Sequence, residues 1–503
     1  MCCTHLNRRD FLGLTTGMAA VGLASSAFAS AGQTEWPPDA WDPDRPYVCT
    51  GKPLRVQPVL MYRVAERKQA ASWKSWGGIL SEEVAAEEVA HIARELDALA
   101  AEAGFPLDVR PLVKVTTLEE ARAVHSNDYD VVLLYPASGW GHVLHACFAP
   151  DRDTLLFVRH QSGPVYYWYE ALSVKYLDTE DEPAAPHRPS VHDVVVDDYG
   201  EVLWRLRALY AVKNFLGTRI VALGGPWGKY APDAPEFAQT KHGIKIIEVD
   251  YADFAPRIQG ALADPGRVAR AQAWTEQYLA LPNTTLTTEK GFVVNAFVLY
   301  ALFKELMAEH DAPAFTIKDC MGTILPMAQT TACLSLSLLN DEGLLAFCES
   351  DFVVIPCGIL LHYLSGTPVF LHNSTFPHQG LATCAHCSAP RRMNAARYEP
   401  AAIMTHYESE YGAAPKVDIP QGQEVTFIDP EYSTGRWIGF KGIVQGNPFY
   451  PICRSQQDVQ IQGEWKRLIK EVRDSHWMMA YGDYLRDLEY ASRKIGIRWE
   501  CIS

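Results

Sequence analysis

Six polar residues in the second half of this sequence interrupt or close apolar runs. Leu344-Leu345-Ala346-Phe347-Cys348 leads into Glu349-Ser350-Asp351, and Val369-Phe370-Leu371 delivers His372-Asn373. His386 follows Cys384-Ala385, and His476 stands between Asp474-Ser475 and Trp477-Met478. Acids and imidazoles at the ends of buried strands are where α/β enzymes hold ligands and catalysts, because the strand end is rigid and its side chains face a crevice. Each of these residues also has a structural reading. Glu349 could be a buried acid paired with Arg391 or Arg392, His476 a hydrogen-bonded core histidine, and Asp351 a capping residue. His362 lies inside an apolar helix and reads as core.

The elements that must position them follow from periodicity and turn chemistry. Residues 54–60 and 131–136 read as buried strands, with helical apolar spacing over 81–103 between them. Strand, helix and strand in that order predict a parallel sheet with crossover helices. The pattern repeats after the Asp/Glu/Pro-rich stretch 178–189, with a helix over 201–215 and strands over 219–225 and 244–249. Gly224-Gly225-Pro226-Trp227-Gly228 does not fit the dinucleotide fingerprint and reads as a tight turn. A long helix over 287–311 and a strand near Phe315 lead to a helix over 336–342 that stops at Gly343. A second apolar helix ends at Ser365-Gly366-Thr367-Pro368.

In this last region the chain resembles the L-fucose and L-arabinose isomerase superfamily. In that family a Cys/Thr-Glu-x-Asp strand gives a metal-binding glutamate, a helix returns through a Leu-x-Gly turn, and the next strand presents a metal-binding aspartate. Glu349 falls on the glutamate, Leu364-Ser365-Gly366 on the turn and Asn373 on the aspartate. Asp474-Ser475-His476-Trp477 resembles the element that supplies the metal-binding histidine, and Ala385-His386-Cys387-Ser388-Ala389-Pro390 the His-Cys-Gly segment lining the same pocket. The resemblance covers 316–400 and 470–497, and is architectural before 300. It implies two Rossmann-like α/β domains and a C-terminal α+β domain with a mixed or antiparallel β-barrel. The expected layout is a leader at 1–31, an extended lead-in at 32–50, α/β domains at 51–186 and 187–315, and a C-terminal part at 316–503 carrying the site.

The chemistry so implied is aldose–ketose isomerisation or related enediolate chemistry on a sugar. A divalent ion holding both sugar oxygens lowers the cost of the enediolate. Two carboxylates and an imidazole favour manganese and leave positions for the sugar hydroxyls. The resemblance thus implies Glu349, His476 and Asn373 as metal ligands and His386 in the same pocket; with the neighbouring polar and aromatic residues, the expected catalytic groups are Glu349, Asp351 and Asn373 and the expected substrate contacts His372, His386 and Trp140. Asn373 departs from the family, since an amide is a weaker ligand than a carboxylate and cannot act as a base. Three readings stay open: Asp351 or His386 compensates, the chemistry has shifted toward a lyase or epimerase, or the site binds sugar without turnover. Aromatic residues at 166–169 and at Trp140 suit either sugar stacking or an interface. Family members are generally oligomers with active sites at subunit boundaries, which implies a homo-oligomer here.

The ends and the composition set the setting. Asn7-Arg8-Arg9-Asp10-Phe11-Leu12-Gly13 opens an uncharged run to Ala31 and matches a twin-arginine export signal, with small-residue cleavage sites near Ala29 and Ala31. The run is short and rich in small and hydroxyl residues, so a retained membrane anchor is the weaker reading, and a periplasmic or secreted protein is expected. Formal net charge is −15, which disfavours nucleic acid or an anionic membrane as main partner. Cys320, Cys333, Cys348 and Cys357 lie in apolar segments and read as buried small hydrophobes. Cys384-Ala385-His386-Cys387 could bind zinc, although no second pair at finger-like spacing accompanies it.

Overall fold

The apolar runs read from the sequence become parallel strands. In the computed structural model, which describes residues 37, 40–48, 50–172, 176–178 and 188–503, the first sheet is built from β1 (Leu54–Met61), β2 (Leu107–Val109), β3 (Val113–Val115), β4 (Val131–Pro136), β5 (Asp153–Val158) and β6 (Val194–Val196). β2 and β3 pair in succession along one edge of β1, and β4, β5 and β6 follow on the other side, all parallel. The expected leader, with its twin arginines and cleavage sites, lies outside the described residues. Helices Glu82–Glu102 and Tyr199–Phe215 cover one face, where Leu54, Val56 and Leu60 point. Helices Leu118–Ala123 and Gly141–Cys147 cover the other, against Val59, Met61, Val132 and Leu134. This two-sided cover is what continuously apolar strands require. Ser81 and Asp198 start the two long helices by accepting from backbone N–H groups of their first turns.

A second parallel sheet holds β7 (Arg219–Leu223) and β8 (Lys245–Val249). After β9 (Thr284–Leu286), which pairs elsewhere, it adds β10 (Ala314–Ile317) and β11 (Leu345–Cys348), giving the order β11-β10-β7-β8. Helix Lys290–Glu309 is long and apolar enough to cross a membrane by length and composition, yet its side chains pack into the core beneath this sheet. Strand pairing crosses both boundaries read from the sequence. β6 lies beyond residue 187 and completes the first sheet, and β10 and β11 carry the second sheet to residue 348. Turn-rich, charged composition marks a change of element and not a change of sheet, since β6 after it pairs with β5.

The remaining strands are β12 (Phe370–Ser374), β13 (Leu381–His386), β14 (Ala401–Met404), β15 (Ala414–Val417), β16 (Glu424–Pro430), β17 (Arg436–Gly446), β18 (Ser455–Gln462), β19 (His476–Tyr481) and β20 (Arg498–Cys501). Six of them close an antiparallel barrel in the order β16-β19-β12-β13-β18-β17 and back to β16, with β20 parallel on β17. β14 and β15 form a small sheet with β9. The fold is therefore α/β with parallel sheets and a closed six-stranded barrel. Phe370, Phe427, Phe440, Trp477 and Met479 fill the barrel, while Leu371, Ile428, Met478 and Ala480 face the opposite way in the core shared with helix Ile355–Ser365.

Gly343 sets where β11 begins. It ends helix Cys333–Glu342 at φ +103, and a Cβ there would lie 2.0 Å from the Val48 carbonyl oxygen. Gly343→Ala should therefore cost well above the roughly 1–2 kcal/mol of a left-handed residue alone. Gly366→Ala, at φ +65 with open space around it, should cost only that conformational amount. Urea midpoints of both variants check this, and equal losses would refute the close approach to Val48.

Candidate functional site

Glu349 and Ser350 continue β11 in the left-handed region, at φ 66 and 52. Such residues cost of order 1–3 kcal/mol each and persist where neighbours hold them. Here the holders are explicit. The Ser350 N–H donates to Thr316 Oγ1 at 3.1 Å, the Trp227 N–H to the Ser350 carbonyl at 3.2 Å, and the Trp227 indole N–H to the Glu349 carbonyl. The turn aims the Glu349 carboxylate between two imidazoles, with Oε1 3.5 Å from His386 Nε2 and Oε2 3.3 Å from His476 Nε2. Burial works to raise this carboxyl, but the bond from His386 and the charges of His476, His386 and Lys229 outweigh it and hold it at about 2. Its side chain keeps 39% of its surface open, so it is the part of the cluster a ligand can reach.

His476 is the hub. Its Nδ1 lies 2.7 Å from Asp351 Oδ2, and both side chains are fully buried. A carboxylate on Nδ1 holds the ring and turns its Nε2 edge toward Glu349. Asp351 Oδ1 accepts from the backbone N–H of Lys229 at 2.9 Å and of Val353 at 3.1 Å. Asp474 accepts from the N–H groups of Ser475 and His476 through Oδ1, while its buried Oδ2 has no partner. Burial, with the Asp351 charge adding to it, pushes the Asp474 carboxyl up to about 6. Asp429, buried beside it, is held well above the usual carboxylate range by burial and by Asp474.

Asn373 stands directly opposite His476 in the β12–β19 ladder, on the same side of the sheet. The structure thus brings together Glu349, Asn373, His476, His386 and Asp351. It does not bring His372 to them. Strand alternation turns that ring into the barrel, where it packs 5.6 Å from Phe427 and 6.2 Å from Trp477 with Nε2 unpartnered, so the expected substrate contact is a core histidine. Trp140 lies after β4, 54% exposed, with the Arg63 guanidinium 4.4 Å over its ring; it touches none of the cluster. The Arg391 guanidinium donates to the Glu399 carbonyl and Thr284, and that of Arg392 to the Arg45, Asp341 and Ala395 carbonyls, so neither is the partner of Glu349. His362 is core, and His378 is exposed. Cys384 lies in the barrel core while Cys387 packs with Cys333, so they form no zinc pair.

Two residues went unassigned in the sequence. Lys229 follows the glycine turn after β7, and its Nζ lies 3.3 Å from His476 Nε2. Asp474 was visible only as part of the His476 motif. Among the described residues, Asp351, Asp474 and His476 could hold a metal ion, with ligand atoms within 4.8 Å of one another. The partnerless Asp474 oxygen fits that role. The set Glu349, Asn373 and His476 implied by resemblance fits less well, since one carboxylate and a neutral amide face an Nε2 already met by an ammonium.

No protein-family model matches the chain, and no curated protein matches it. Among solved structures it is similar to a conserved domain protein from Vibrio cholerae O1 biovar El Tor, 12% identical, covering 62% of this chain and 83% of that one, with a TM-score of 0.16. A likeness that weak carries no argument.

The barrel position of His372 has a pH signature. Burial, opposed by the Phe370 carbonyl bond and aided by nearby His386 and His476, holds this imidazole at about 3, below its ordinary 6.5. The unfolded chain then binds the proton first, so stability is complete above pH 6.5 and falls as the pH drops toward 3. His372→Phe should remove about 2 kcal/mol of the loss between pH 7 and pH 5. Urea unfolding at both pH values reads it out; the same loss in both proteins would mean that His372 is not a neutral core residue.

Proposed function

We propose that this chain is a carbohydrate enzyme of the isomerase-like class, exported by the twin-arginine route and working through an enediolate on an aldose or ketose. The observation that carries the reading is the meeting of Glu349, Asn373 and His476, three residues spread over more than a hundred positions of sequence, around one partly open carboxylate. Their meeting is what the resemblance to fucose and arabinose isomerases requires. Glu349, ionised and partly open, suits moving a proton between neighbouring carbons, and His386 and Asn373 suit the sugar hydroxyls. The strand orders, which reverse direction beside β1 and β7, support reading the two parallel sheets as Rossmann-like units. Trp140, exposed and capped by Arg63, suits a contact within a homo-oligomer.

The buried Asp351–Asp474–His476 group suits a divalent ion, and its oxygen and nitrogen donors favour manganese. An ion held there would supply positive charge behind His476. A second reading, a periplasmic sugar-binding protein without turnover, is favoured by one observation, the amide at Asn373 in place of a carboxylate.

Two measurements test these readings. In elemental analysis, Asp474→Ala and His476→Ala should lose a divalent ion that Glu349→Ala keeps; loss in Glu349→Ala instead would move the ion to the set implied by resemblance. In D2O, a panel of aldoses and ketoses followed by NMR should show deuterium entering at C1 or C2, with exchange at least a hundredfold slower in Glu349→Gln. Sugar binding without exchange would establish the binding protein instead.

A further inference from the structure

The loop after β7 is built as a delivery device. Gly224 and Gly225 turn the chain at φ 83 and 85, and a Cβ on Gly228 would fall 2.1 Å from the Ala231 carbonyl oxygen. Between them Trp227 is bridged to Asp351: its N–H donates to the Ser350 carbonyl, its carbonyl accepts from Phe352 at 2.9 Å, and its indole reaches the Glu349 carbonyl. The next anchor is the Lys229 N–H on Asp351 Oδ1. Every one of these bonds ties the loop to the turn that carries Glu349. The side chain so delivered is half-buried, and it ends in an ammonium 3.3 Å from His476 Nε2.

An ammonium only donates, so Nε2 is the acceptor of this bond. Glu349 brings one negative charge to this face, the Asn373 amide brings none, and the Lys229 ammonium stands on the same ring edge of His476 as a single positive charge. A divalent ion at the same place would meet one carboxylate and a neighbouring ammonium, and its charge would go uncompensated. Asn373 and Lys229 are thus two halves of one change: the lost carboxylate removes the need for a doubly charged ion, and the lysine provides a singly charged one.

We infer that Lys229 is the catalytic cation of this site, its ammonium occupying the place beside His476 Nε2 that the resemblance gives to a metal. This rests on the reading of the pocket as one for a sugar carbonyl. The ammonium donates to the carbonyl oxygen and the adjacent hydroxyl oxygen. The Glu349 carboxylate takes the proton from the carbon bearing that hydroxyl, the charge collects on the oxygen facing Lys229, and the proton returns to the neighbouring carbon while the hydroxyl proton crosses between the oxygens. No oxidant or second substrate is consumed. Lysine is suited to the role as a compact point charge with three donors.

The probe is Mn2+ alone, titrated into the full mature chain and read by electron paramagnetic resonance and calorimetry, so the outcome does not depend on any sugar. The native protein should show no Mn2+ site that weakens on Glu349→Ala. Lys229→Ala and Lys229→Met should gain one at least tenfold tighter than anything Glu349 supports in the native protein, and Lys229→Ala/Glu349→Ala should lose it again. Near-UV circular dichroism with Lys229→Arg, which keeps the charge, separates this gain from a folding defect. A native Mn2+ site that needs Glu349 overturns the proposal by itself, without any lysine variant, and so does the absence of such a site from every variant. If the titration gives the expected pattern while no sugar exchanges deuterium, the sugar reading fails and Lys229 remains the cation of the pocket.

Discussion

The hydrogen bond between Asp351 and His476 is the constraint on which the rest of the site depends. Asp351 belongs to the turn that ends the second parallel sheet, and His476 is the first residue of a barrel strand. Both are out of contact with solvent, so neither can exchange its partner for water, and breaking such a pair by removing one side costs about 3–5 kcal/mol. The same carboxylate also takes the backbone N–H groups of Lys229 and Val353. One buried acid thus fixes three segments in register: the loop after β7, the turn after β11 and the start of β19. A sheet and a barrel that share little else in sequence are made into one pocket.

Strand parity does the sorting around that bond. His372 and Asn373 are neighbours in sequence, yet alternation sends the first into the barrel among Phe370, Phe427 and Trp477 and the second outward beside His476. The barrel face needs apolar surface and accepts an imidazole only in its neutral form. The outer face meets Asp351, Glu349 and Lys229, where polar groups find partners. Two residues that look alike in the sequence, each a polar group closing an apolar run, take opposite roles because the period of a strand is two.

Much of this fold was legible because local chemistry decided it. Leu54–Met61, Val131–Pro136 and Leu345–Cys348 are apolar on both faces and became buried parallel strands, and Gly343 and Gly366 end helices as their spacing indicated. The convergence of Glu349, Asn373 and His476 was legible through resemblance alone, since no periodicity links residue 349 to residue 476. What escaped was set by tertiary geometry. Lys229 follows a glycine turn whose composition says only that the chain bends, and its relevance lies in the hydrogen bonds from Trp227 and Lys229 to 349–352. The parity that buries His372 depends on which face of β12 meets the helices. The sheet boundaries depend on long crossovers, which no composition shift records.

The electrostatic order of the pocket follows from burial. Behind His476 lie Asp351, Asp474 and Asp429, three acids with almost no solvent; burial pushes the last two toward their neutral forms, helped at Asp474 by Asp351 and at Asp429 by Asp474. Asp351 is engaged on the protein side by three groups, the N–H groups of Lys229 and Val353 and the His476 ring. With Nδ1 held on Asp351, the ring turns its Nε2 edge the other way, toward Glu349 and Lys229. A carboxylate that faces the opening beside that edge calls for a cation there. The buried acids thereby decide, from behind the ring, that the open side of this pocket is a place for positive charge.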